Sequence, residues 1–264
     1  MTIARYAIEG GEPGKRRLDV LAAVMDPLTA SLLDRAGIDA AHRCVDVGCG
    51  GGHVTRELAR RARDGQALGI DIDPEVVELA RVDAEQEGLA NLAFRVGDAA
   101  ALDDGPYDLA YARFLLSHVG DPVGAVSAMV AALRPGGVLV VEDVDFTGSF
   151  SHPDSAAYRR YVELYRATVA KRGGNADIGP ALPALLQAAG LDGVGFNVVQ
   201  PAGFDGDAKL ISPLTLARIS QSIVEEGVAP AEEVELVLAE LYAFHEDPTT
   251  VMSLPRIVQA WGRA

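Results

Sequence analysis

The hydrophobic and polar positions of the chain alternate between two periods from about residue 43 to residue 145. Short β-branched runs, typical of buried strands, are separated by longer stretches whose apolar positions recur at helical spacing. The runs predicted as strands are RCVDVGC, QALGIDID, NLAFRVGDA, YDLAYAR and VLVVEDVDF. Strands that alternate with helices of ten or more residues pair in parallel, with helices on both faces. The pattern therefore predicts an α/β fold with a doubly wound sheet.

The chain before the first strand is predicted to form an arm and two helices. Glycine and charged residues dominate residues 1–15, which favours an arm without regular structure. Apolar positions recur at helical spacing over residues 16–25. Asp26 and Pro27 then resemble an N-cap and a first-turn proline, which predicts a second helix ending near Gly37.

After residue 146 the alternation of strands and helices changes. A helix is predicted over residues 153–172, a sixth strand in GVGFNVVQP, two helices within residues 205–249 and a seventh strand in SLPRIVQAWGRA. The seventh strand is expected to run back beside the sixth. The helices between the fifth and seventh strands are then insertions over the open edge of the sheet, and they are expected to form a lid.

Composition and charge narrow the range of partners. With 264 residues, 49% of them hydrophobic, the chain can bury a full hydrophobic core. This length suits one domain with an additional inserted part. Its 38 acidic and 23 basic residues give a net charge of −15. This balance disfavours nucleic acid and anionic membranes as partners. The densest cationic stretch, RELARRAR over residues 56–63, is predicted to be a solvated helix face.

The cysteines and the lengths of the apolar segments indicate the compartment in which the protein resides. Cys44 and Cys49 lie in a strand and its following loop, where a disulfide would distort the turn, so reduced thiols are expected. No stretch near residue 1 resembles a secretion signal, and no window offers about twenty uncharged apolar residues. The expected localisation is cytoplasmic.

The stretch VDVGCGGGHVT, residues 45–55, carries four glycines within five positions, Gly48, Gly50, Gly51 and Gly52. A strand, a GxGxG turn and a helix bring backbone N–H groups and a helix N-terminus to a ligand without intervening side chains. The loop alone is weak evidence, because dinucleotide-binding enzymes use a similar one.

Two carboxylates supply the context that the loop lacks. Asp46 lies inside the strand, where a dinucleotide site normally keeps an apolar residue, and a buried anion calls for a cationic ligand. Asp71 ends the second strand, where a carboxylate can accept both hydroxyls of a ribose. The structural alternatives are that Asp46 caps the loop and that Asp71 caps the helix at Pro74, although Asp73 already occupies the capping position.

Four ordered segments, VDVGCGGGHVT, GIDIDPE, RVGDAAAL and LRPGGVLVVED, together resemble the motifs of class I S-adenosylmethionine-dependent methyltransferases. The resemblance covers about residues 40–145 and implies a Rossmann-like seven-stranded sheet, its last strand antiparallel, with S-adenosyl-L-methionine as cofactor. It divides the chain into an arm and helices that cover the cofactor (1–37), the cofactor-binding core (38–146), and the helical lid with the last strands (147–264).

The resemblance also implies residue roles at the methionine end of the cofactor. The backbone of Gly48 and Gly50 would approach the methionine, and Asp46 would orient its amino group. The backbone carbonyls of Ala112 and Arg113 would receive the ammonium.

At the adenosine end, Asp71 would bind the ribose and Ile72 would lie against the adenine. Asp98 would accept from the adenine amine, and the Ala99 N–H would reach a ring nitrogen.

The segment YAIEGG followed by KRRL resembles enzymes of this family whose arm folds over the cofactor. Tyr6 and Arg17 would then lie near the cofactor carboxylate, which an arginine fork suits. The alternative is a disordered tail with surface charges.

Catalysis of methyl transfer depends on alignment, with a base only where the nucleophile loses a proton. Candidate groups should lie at the carboxyl ends of the fourth and fifth strands: Arg113, Ser117, His118, Glu142, Asp143 and Asp145. His118 suits a general base, or alternatively hydrogen-bonds its own loop. YARF lacks the aspartate of metal-dependent relatives, so no metal is expected, and the (N/D)PPY segment of amino-methylating relatives is absent.

The insertions are expected to cover the acceptor. Residues 153–172 carry an apolar stripe that either packs in the core or, with Phe146, Phe150 and His152, lines an acceptor site. The apolar positions of the next insertion would join the lid or form a homodimer contact: Leu210, Ile211, Leu214, Leu216 and Ile219.

The sequence thus predicts a soluble methyltransferase that acts without metal on a small, partly hydrophobic molecule, at oxygen, nitrogen or carbon. Two alternatives remain open: a dinucleotide-dependent oxidoreductase, and a protein of this fold that binds the cofactor without transferring its methyl group.

Overall fold

The computed structural model describes residues 12–264. The helices are α1 (Glu12–Ala36), α2 (His53–Arg61), α3 (Pro74–Glu87), α4 (Pro122–Ala131), α5 (Ala156–Lys171), α6 (Leu182–Ala188), α7 (Asp207–Glu225) and α8 (Ala231–Glu246). The strands are β1 (Arg43–Val47), β2 (Gln66–Asp71), β3 (Leu92–Val96), β4 (Tyr107–Arg113), β5 (Leu133–Asp145), β6 (Ser151–His152), β7 (Asp192–Val199), β8 (Ala202–Gly203), β9 (Val251–Ser253) and β10 (Arg256–Arg263).

The main sheet has seven strands in the order β3-β2-β1-β4-β5-β10-β7. Its first five members pair in parallel, and β10 runs antiparallel to both neighbours, with Val258 opposite Asp143 and Val198. This confirms the predicted Rossmann-like sheet and the last strand that returns beside the sixth. The strand order reverses between β1 and β4, and ligands of such sheets bind at that reversal.

One continuous helix, α1, replaces the two helices predicted before the first strand, and Pro27 lies inside it. The expected helix start at Asp26 and Pro27 is therefore wrong. An internal proline costs about 3 kcal/mol because it removes a backbone donor and crowds the preceding turn. Here both halves of the helix are held by packing. Leu21 and Met25 are buried beside Ile257, whereas Leu32 and Leu33 are buried in a second cluster with Leu58.

A second sheet in the described part of the chain joins β6, β9 and β8. The sequence did not predict it, because strands of two or three residues are too short to show a period. Its pairs, such as Ser151 with Met252 and Gly203 with Met252, tie the insertions to one another beside the main sheet.

Helices α5, α7 and α8 share one apolar cluster with Val144 and Phe146, at the carboxyl end of β5. Ile211, Leu216 and Ile219 of α7 are buried within the chain. These three side chains therefore serve packing inside the protein. The insertions consequently lie over the end of the sheet at which β4 and β5 finish.

Cys44 and Cys49 are both buried free thiols, as the sequence predicts. Burial raises the pKa of Cys44 to about 12, so this thiol stays protonated at pH 7. Within residues 12–264, no helix has the length and apolar content needed to cross a bilayer.

Candidate active site

A cleft opens where β1, β4 and β5 end, between α1 on one side and the insertions on the other. The cleft and its mouth enclose about 1610 Å³ of space not filled by protein atoms. The residues of the sequence prediction that line it include Arg17, Asp46, Gly48, Gly50, Asp71, Arg113, Ser117 and His118. The structure thus brings together residues from four separate segments of the chain.

The glycine loop after β1 is held by the end of β2. The N–H groups of Gly48 and Cys49 donate to the carbonyl of Ile70 at 2.8 and 3.0 Å, and Gly50 N–H donates to Asp71 Oδ2 at 2.9 Å. Each of these bonds draws the loop toward the second strand. The conformation of the loop is therefore set by hydrogen bonds within the protein.

Two of the glycines are required for different reasons. Gly52 has φ +73°, and a Cβ there would lie 2.5 Å from the ring of Phe94, so packing excludes a side chain. Gly50 has φ +50°, and its Cβ would meet only the methyl groups of Leu18, at 3.8 Å. Gly50 therefore owes its identity to backbone conformation and to the open space in front of it.

Asp46 is a buried carboxylate on the floor of the cleft. Its Oδ2 accepts a hydrogen bond from Thr55 Oγ1 at 2.7 Å, which ties β1 to α2. No cation of the described residues lies within ion-pair distance of it. Burial raises its pKa to about 6, although Thr55 and the more distant Arg113 lower it and Asp71 raises it further. A cationic ligand would therefore find an uncompensated carboxylate here.

Asp71 ends β2 and uses both of its carboxylate oxygens in the loop. Besides Gly50 on Oδ2, its Oδ1 accepts from the N–H of Asp73 at 3.1 Å. Burial raises the pKa of Asp71, and the hydrogen bonds from these two donors lower it in part. Asp73, and not Asp71, caps α3 by accepting from Glu75 N–H at 2.9 Å. Asp71 is thus left to face the cleft rather than a helix end.

The Arg113 side chain, which lines the cleft, is bound to α1. Its Nη1 donates to Thr29 Oγ1 at 3.0 Å and lies 3.4 Å from Asp26 Oδ1. Thr29 in turn donates to Glu142 Oε1 at 2.7 Å, and Gln259 Nε2 donates to Glu142 Oε2 at 2.6 Å. The Tyr111 hydroxyl also donates to Glu142. This buried network joins α1 to β4, β5 and β10.

The residue after Arg113, Phe114, has φ +55°. The left-handed region is unfavourable for a bulky side chain, and such strain concentrates at functional sites. The Phe114 N–H donates to the Glu142 carbonyl at 2.8 Å, which holds this turn against β5.

His118 lies at the end of the cleft that the insertions cover. Its Nε2 is 3.3 Å from the hydroxyl of Tyr165, whose ring stacks on Phe146 with centroids 4.3 Å apart. Burial lowers the pKa of His118, and together with the charges of Arg17 and Arg172 it brings that pKa to about 4. The imidazole is consequently neutral at pH 7.

Two acidic groups at the carboxyl end of β5, Asp143 and Asp145, hold the neighbouring turns in place. Asp143 accepts from the N–H groups of Ser117 and Val144, and burial raises its pKa to about 6. Asp145 accepts from Thr147 and pairs with Arg256 at 2.6 Å. Their hydrogen bonds order the turns around the cleft.

Several predicted residues lie away from the cleft lining. Asp98 is exposed and accepts from the N–H of Ala100 at 2.9 Å, and neither Ile72 nor Ala99 lines the cleft. Tyr6 lies outside the described residues.

Of the aromatic and histidine residues proposed to surround the acceptor, Phe146 lines the cleft, whereas Phe150 and His152 are exposed. The sequence placed all three together because they are close along the chain. The chain turns outward after residue 148, into β6.

The rim of the cleft is fastened by polar side-chain contacts that the sequence did not predict. Lys15 pairs with Asp83, and His53 Nε2 lies 3.0 Å from Asp19 Oδ1. Arg56, expected on a solvated face, is instead 5% exposed and donates to the Gly51 carbonyl at 2.8 Å. That expectation was wrong for Arg56 because the glycine loop places the Gly51 carbonyl beside α2, within reach of its guanidinium.

Helix α7 supplies Ile211, Ser212 and Thr215 to the cleft, and the turn before β10 supplies Leu254 and Pro255. The sequence carried a signal for the first group, since the polar positions Ser212 and Thr215 interrupt an otherwise apolar helix face. Among residues 12–264, no three His, Cys, Asp or Glu side chains are grouped to hold a metal ion.

Comparisons with known proteins agree with this geometry. Residues 38–174, just over half of the chain, match a family model described as a methyltransferase domain. The chain is 37% identical over 117 residues to a ubiquinone biosynthesis O-methyltransferase of Acinetobacter baylyi, covering 43% of this chain and 48% of that protein. It is 30% identical over 183 residues to methyltransferase GfsG of Streptomyces halstedii, covering 68% and 63%. The chain thus spans about half the length of the first of these relatives.

Among solved structures, the phosphoethanolamine N-methyltransferase 2 of Haemonchus contortus in complex with S-adenosyl-L-methionine aligns with a TM-score of 0.54. The alignment covers 89% of this chain and 52% of that one, at 16% sequence identity. At this identity the likeness concerns the fold.

Proposed function

The chain belongs to the class I S-adenosylmethionine-dependent methyltransferases, and from this premise we propose that it transfers a methyl group to a small, partly hydrophobic organic molecule. The observation that carries the proposal is the Asp46 carboxylate, which is buried beside the glycine loop without a cation of the described residues. A buried anion is costly unless it is paired, and the ammonium group of the cofactor is the partner we propose.

The remaining contacts of the cofactor follow from the same orientation. Asp71 would accept the ribose hydroxyls, and the backbone of Gly48 and Gly50 would approach the methionine. Along the neighbouring strand ends, the adenine roles of Ile72, Asp98 and Ala99 and the carboxylate role of Tyr6 remain predictions from the resemblance.

We propose that the acceptor atom is oxygen and that no metal ion takes part. The oxygen assignment is supported by the name of the Acinetobacter baylyi relative and by His118, a neutral base at pH 7. When bound, the cofactor supplies an electrophilic methyl group on its sulfonium. His118 would accept the proton of the acceptor hydroxyl as the oxygen takes the methyl group, the methyl–sulfur bond breaks and S-adenosylhomocysteine is left.

Arg113, in this proposal, positions the site through its neighbours. Its backbone carbonyl would face the cofactor ammonium, while its guanidinium holds α1 over the cleft through Thr29. The aromatic side chains at the other end, Phe146 and Tyr165, would exclude water from the acceptor.

The proposal is tested by titrating the protein with S-adenosylhomocysteine and, separately, with NADH in a calorimeter. We expect micromolar binding of the first and no binding of the second, since Asp46 occupies the position that a dinucleotide site keeps apolar. Binding of NADH alone would support the oxidoreductase. Incubation with methyl-labelled cofactor and a metabolite extract then distinguishes an enzyme, which yields labelled product, from a protein that only binds the cofactor.

The affinity for S-adenosylhomocysteine should depend on pH through Asp46. The pKa of about 6 in the free protein means that this carboxylate is protonated below pH 6, whereas an ammonium ligand binds the ionised form. We expect the affinity to fall as pH decreases from 7 to 5, by up to about tenfold per pH unit below the pKa. Isothermal titration at several pH values measures this dependence.

The control ligand is 5′-methylthioadenosine, which shares the adenosine and ribose contacts but has no ammonium group. Its affinity should change less between pH 7 and 5. In the Asp46→Asn variant, the affinities for S-adenosylhomocysteine and 5′-methylthioadenosine should depend on pH to the same extent. Parallel pH profiles for both ligands in the wild-type protein would contradict the pairing of Asp46 with the ammonium.

A further inference from the structure

Arg17 is a buried cation without a counterion among the described residues. It is 9% exposed and lines the cleft, and its Nε donates to Thr215 Oγ1 at 3.0 Å. Its two terminal nitrogens have no hydrogen-bond partner within residues 12–264, and no carboxylate of that part of the chain lies within ion-pair distance. Burial lowers the pKa of this guanidinium, which is the sign of an uncompensated charge. A buried guanidinium in a cleft calls for an anion.

Helix α1 forms one side of the cleft, and Arg17 faces away from the glycine loop. Leu18 lies against Gly50 and Gly51, within 3.6–3.8 Å of the positions their Cβ atoms would take. Lys15 faces Asp83 of α3. Successive residues of a helix point about 100° apart, so Arg17 turns from the loop toward the insertions. Its contact with Thr215 of α7 fixes that direction.

The surroundings of Arg17 belong to the end of the cleft that we assign to the acceptor. After burial, the neighbouring Tyr165 and Tyr161 of α5 affect the pKa of Arg17 most, and Arg17 lowers the pKa of His118 in turn. Phe146 stacks on Tyr165 and contacts Tyr161 edge to face, with ring centroids 6.4 Å apart. One cation therefore lies beside an aromatic wall and a neutral imidazole.

The local charge at this end opposes the charge of the whole chain. The chain carries a net charge of −15, yet Arg172 and Arg218 also act on this region. Arg172 is compensated by Glu226 at 3.4 Å, and Asp143 lies near Tyr165 with its pKa raised to about 6. An anionic ligand would be repelled by the protein surface in general but attracted to this end of the cleft.

We propose that the methyl acceptor carries a carboxylate, which the guanidinium of Arg17 binds at the insertion end of the cleft. This inference rests on the proposed function and adds the substrate class, a hydroxylated organic acid with a flat or extended apolar body. The aromatic wall of Phe146, Tyr161 and Tyr165 accommodates that body, and Arg17 sets the direction in which its hydroxyl reaches His118. A guanidinium binds a carboxylate with two parallel hydrogen bonds, so it fixes orientation as well as charge.

The family resemblance gives Arg17 another anion, the carboxylate of the cofactor itself. The two assignments predict different effects of replacing Arg17 on the affinity for the cofactor. If Arg17 binds the acceptor, its loss leaves cofactor affinity unchanged. If it binds the cofactor carboxylate, its loss weakens S-adenosylhomocysteine but not 5′-methylthioadenosine, which lacks that group.

The experiment uses the whole chain saturated with S-adenosylhomocysteine. Benzoate, cinnamate, 2-naphthoate and octanoate are titrated into this complex beside their primary amides, which have nearly the same shape and no charge. We expect at least one carboxylate to bind the wild-type complex ten times or more tightly than its amide. The Arg17→Met variant should lose this preference, and Arg16→Met, which removes an exposed arginine from the same helix turn, should keep it.

The outcomes are separable. No preference for any carboxylate over its amide in the wild-type complex overturns the proposal, and so does a tenfold loss of S-adenosylhomocysteine affinity in Arg17→Met with unchanged 5′-methylthioadenosine affinity. Failure of the wild-type protein to bind S-adenosylhomocysteine would instead refute the proposed function. The wild-type comparison needs no substitution, and so it decides the question even where Arg17→Met unfolds.

Discussion

The Asp71→Ala variant is expected to bind S-adenosylhomocysteine about 30- to 150-fold more weakly than the wild-type protein, a loss of about 2–3 kcal/mol. The substitution removes the carboxylate proposed to accept both ribose hydroxyls. It also removes the acceptor that holds Gly50 N–H, so the glycine loop loses one of its attachments to β2. Isothermal titration calorimetry measures the affinity directly.

A matched control separates the ribose contact from general damage to the chain. Asp39 is an exposed carboxylate that, like Asp71, accepts from a backbone N–H two residues later, at 2.9 Å, but does not line the cleft. Asp39→Ala should leave affinity unchanged. Asp71→Asn keeps an acceptor for Gly50, and its affinity should lie between the wild-type and alanine values. Wild-type affinity in Asp71→Ala would contradict the ribose role.

The sequence predicted the glycine loop and its carboxylates because their placement is set locally. A strand of known period ends at Val47, glycines with positive φ follow, and Asp71 comes at the same point of the next parallel strand. Parallel strands bring their carboxyl ends to one edge, so residues far apart in sequence meet there without further information. The meeting of the glycine loop, Asp46 and Asp71 at one edge of the sheet could therefore be predicted before any contact was known.

The Glu142 network could not be predicted in this way. Its donors are Thr29, Tyr111 and Gln259, the nearest of them 31 residues away from Glu142 in the chain. No local period relates such positions, and the meeting depends on how α1 crosses the sheet. The same packing explains why α1 continues through Pro27, because the buried side chains on either side offset the lost backbone bond.

The direction in which the Arg17 side chain points could likewise not be predicted from the sequence. Helical spacing shows that Arg17 and Leu18 point to different sides of α1, but not which neighbour each side meets. The approach of α7, which brings Thr215 to within 3.0 Å of Arg17, settles this. The helices of the insertions were thus predicted, whereas the residues that they bring to the cleft could be identified only from their packing.

His118→Ala is expected to lower turnover by about 100-fold or more, the usual contribution of a positioned base. Affinity for S-adenosylhomocysteine should not change, since His118 lies beside Tyr165 at the end of the cleft that the insertions cover. With its pKa near 4, His118 is unprotonated throughout pH 6 to 9 in the wild-type protein. The wild-type rate should therefore show no loss from protonation of His118 in that range. Labelled methyl transfer to an acceptor from the extract measures turnover.

The pH dependence of the variant distinguishes a base from a structural residue. Without His118 the acceptor must lose its proton to water or hydroxide, so the residual rate should rise with pH and the deficit should shrink toward pH 9. A residue that only shapes the cleft would give the same deficit at every pH, and an undiminished rate from pH 6 to 9 would exclude catalysis by His118. His152→Ala, which changes an exposed histidine outside the cleft lining, should match the wild-type protein. The Tyr165→Phe variant removes the hydroxyl 3.3 Å from His118 Nε2 but keeps the aromatic stack on Phe146. It therefore tests the contribution of that hydroxyl to turnover separately from the packing of the ring.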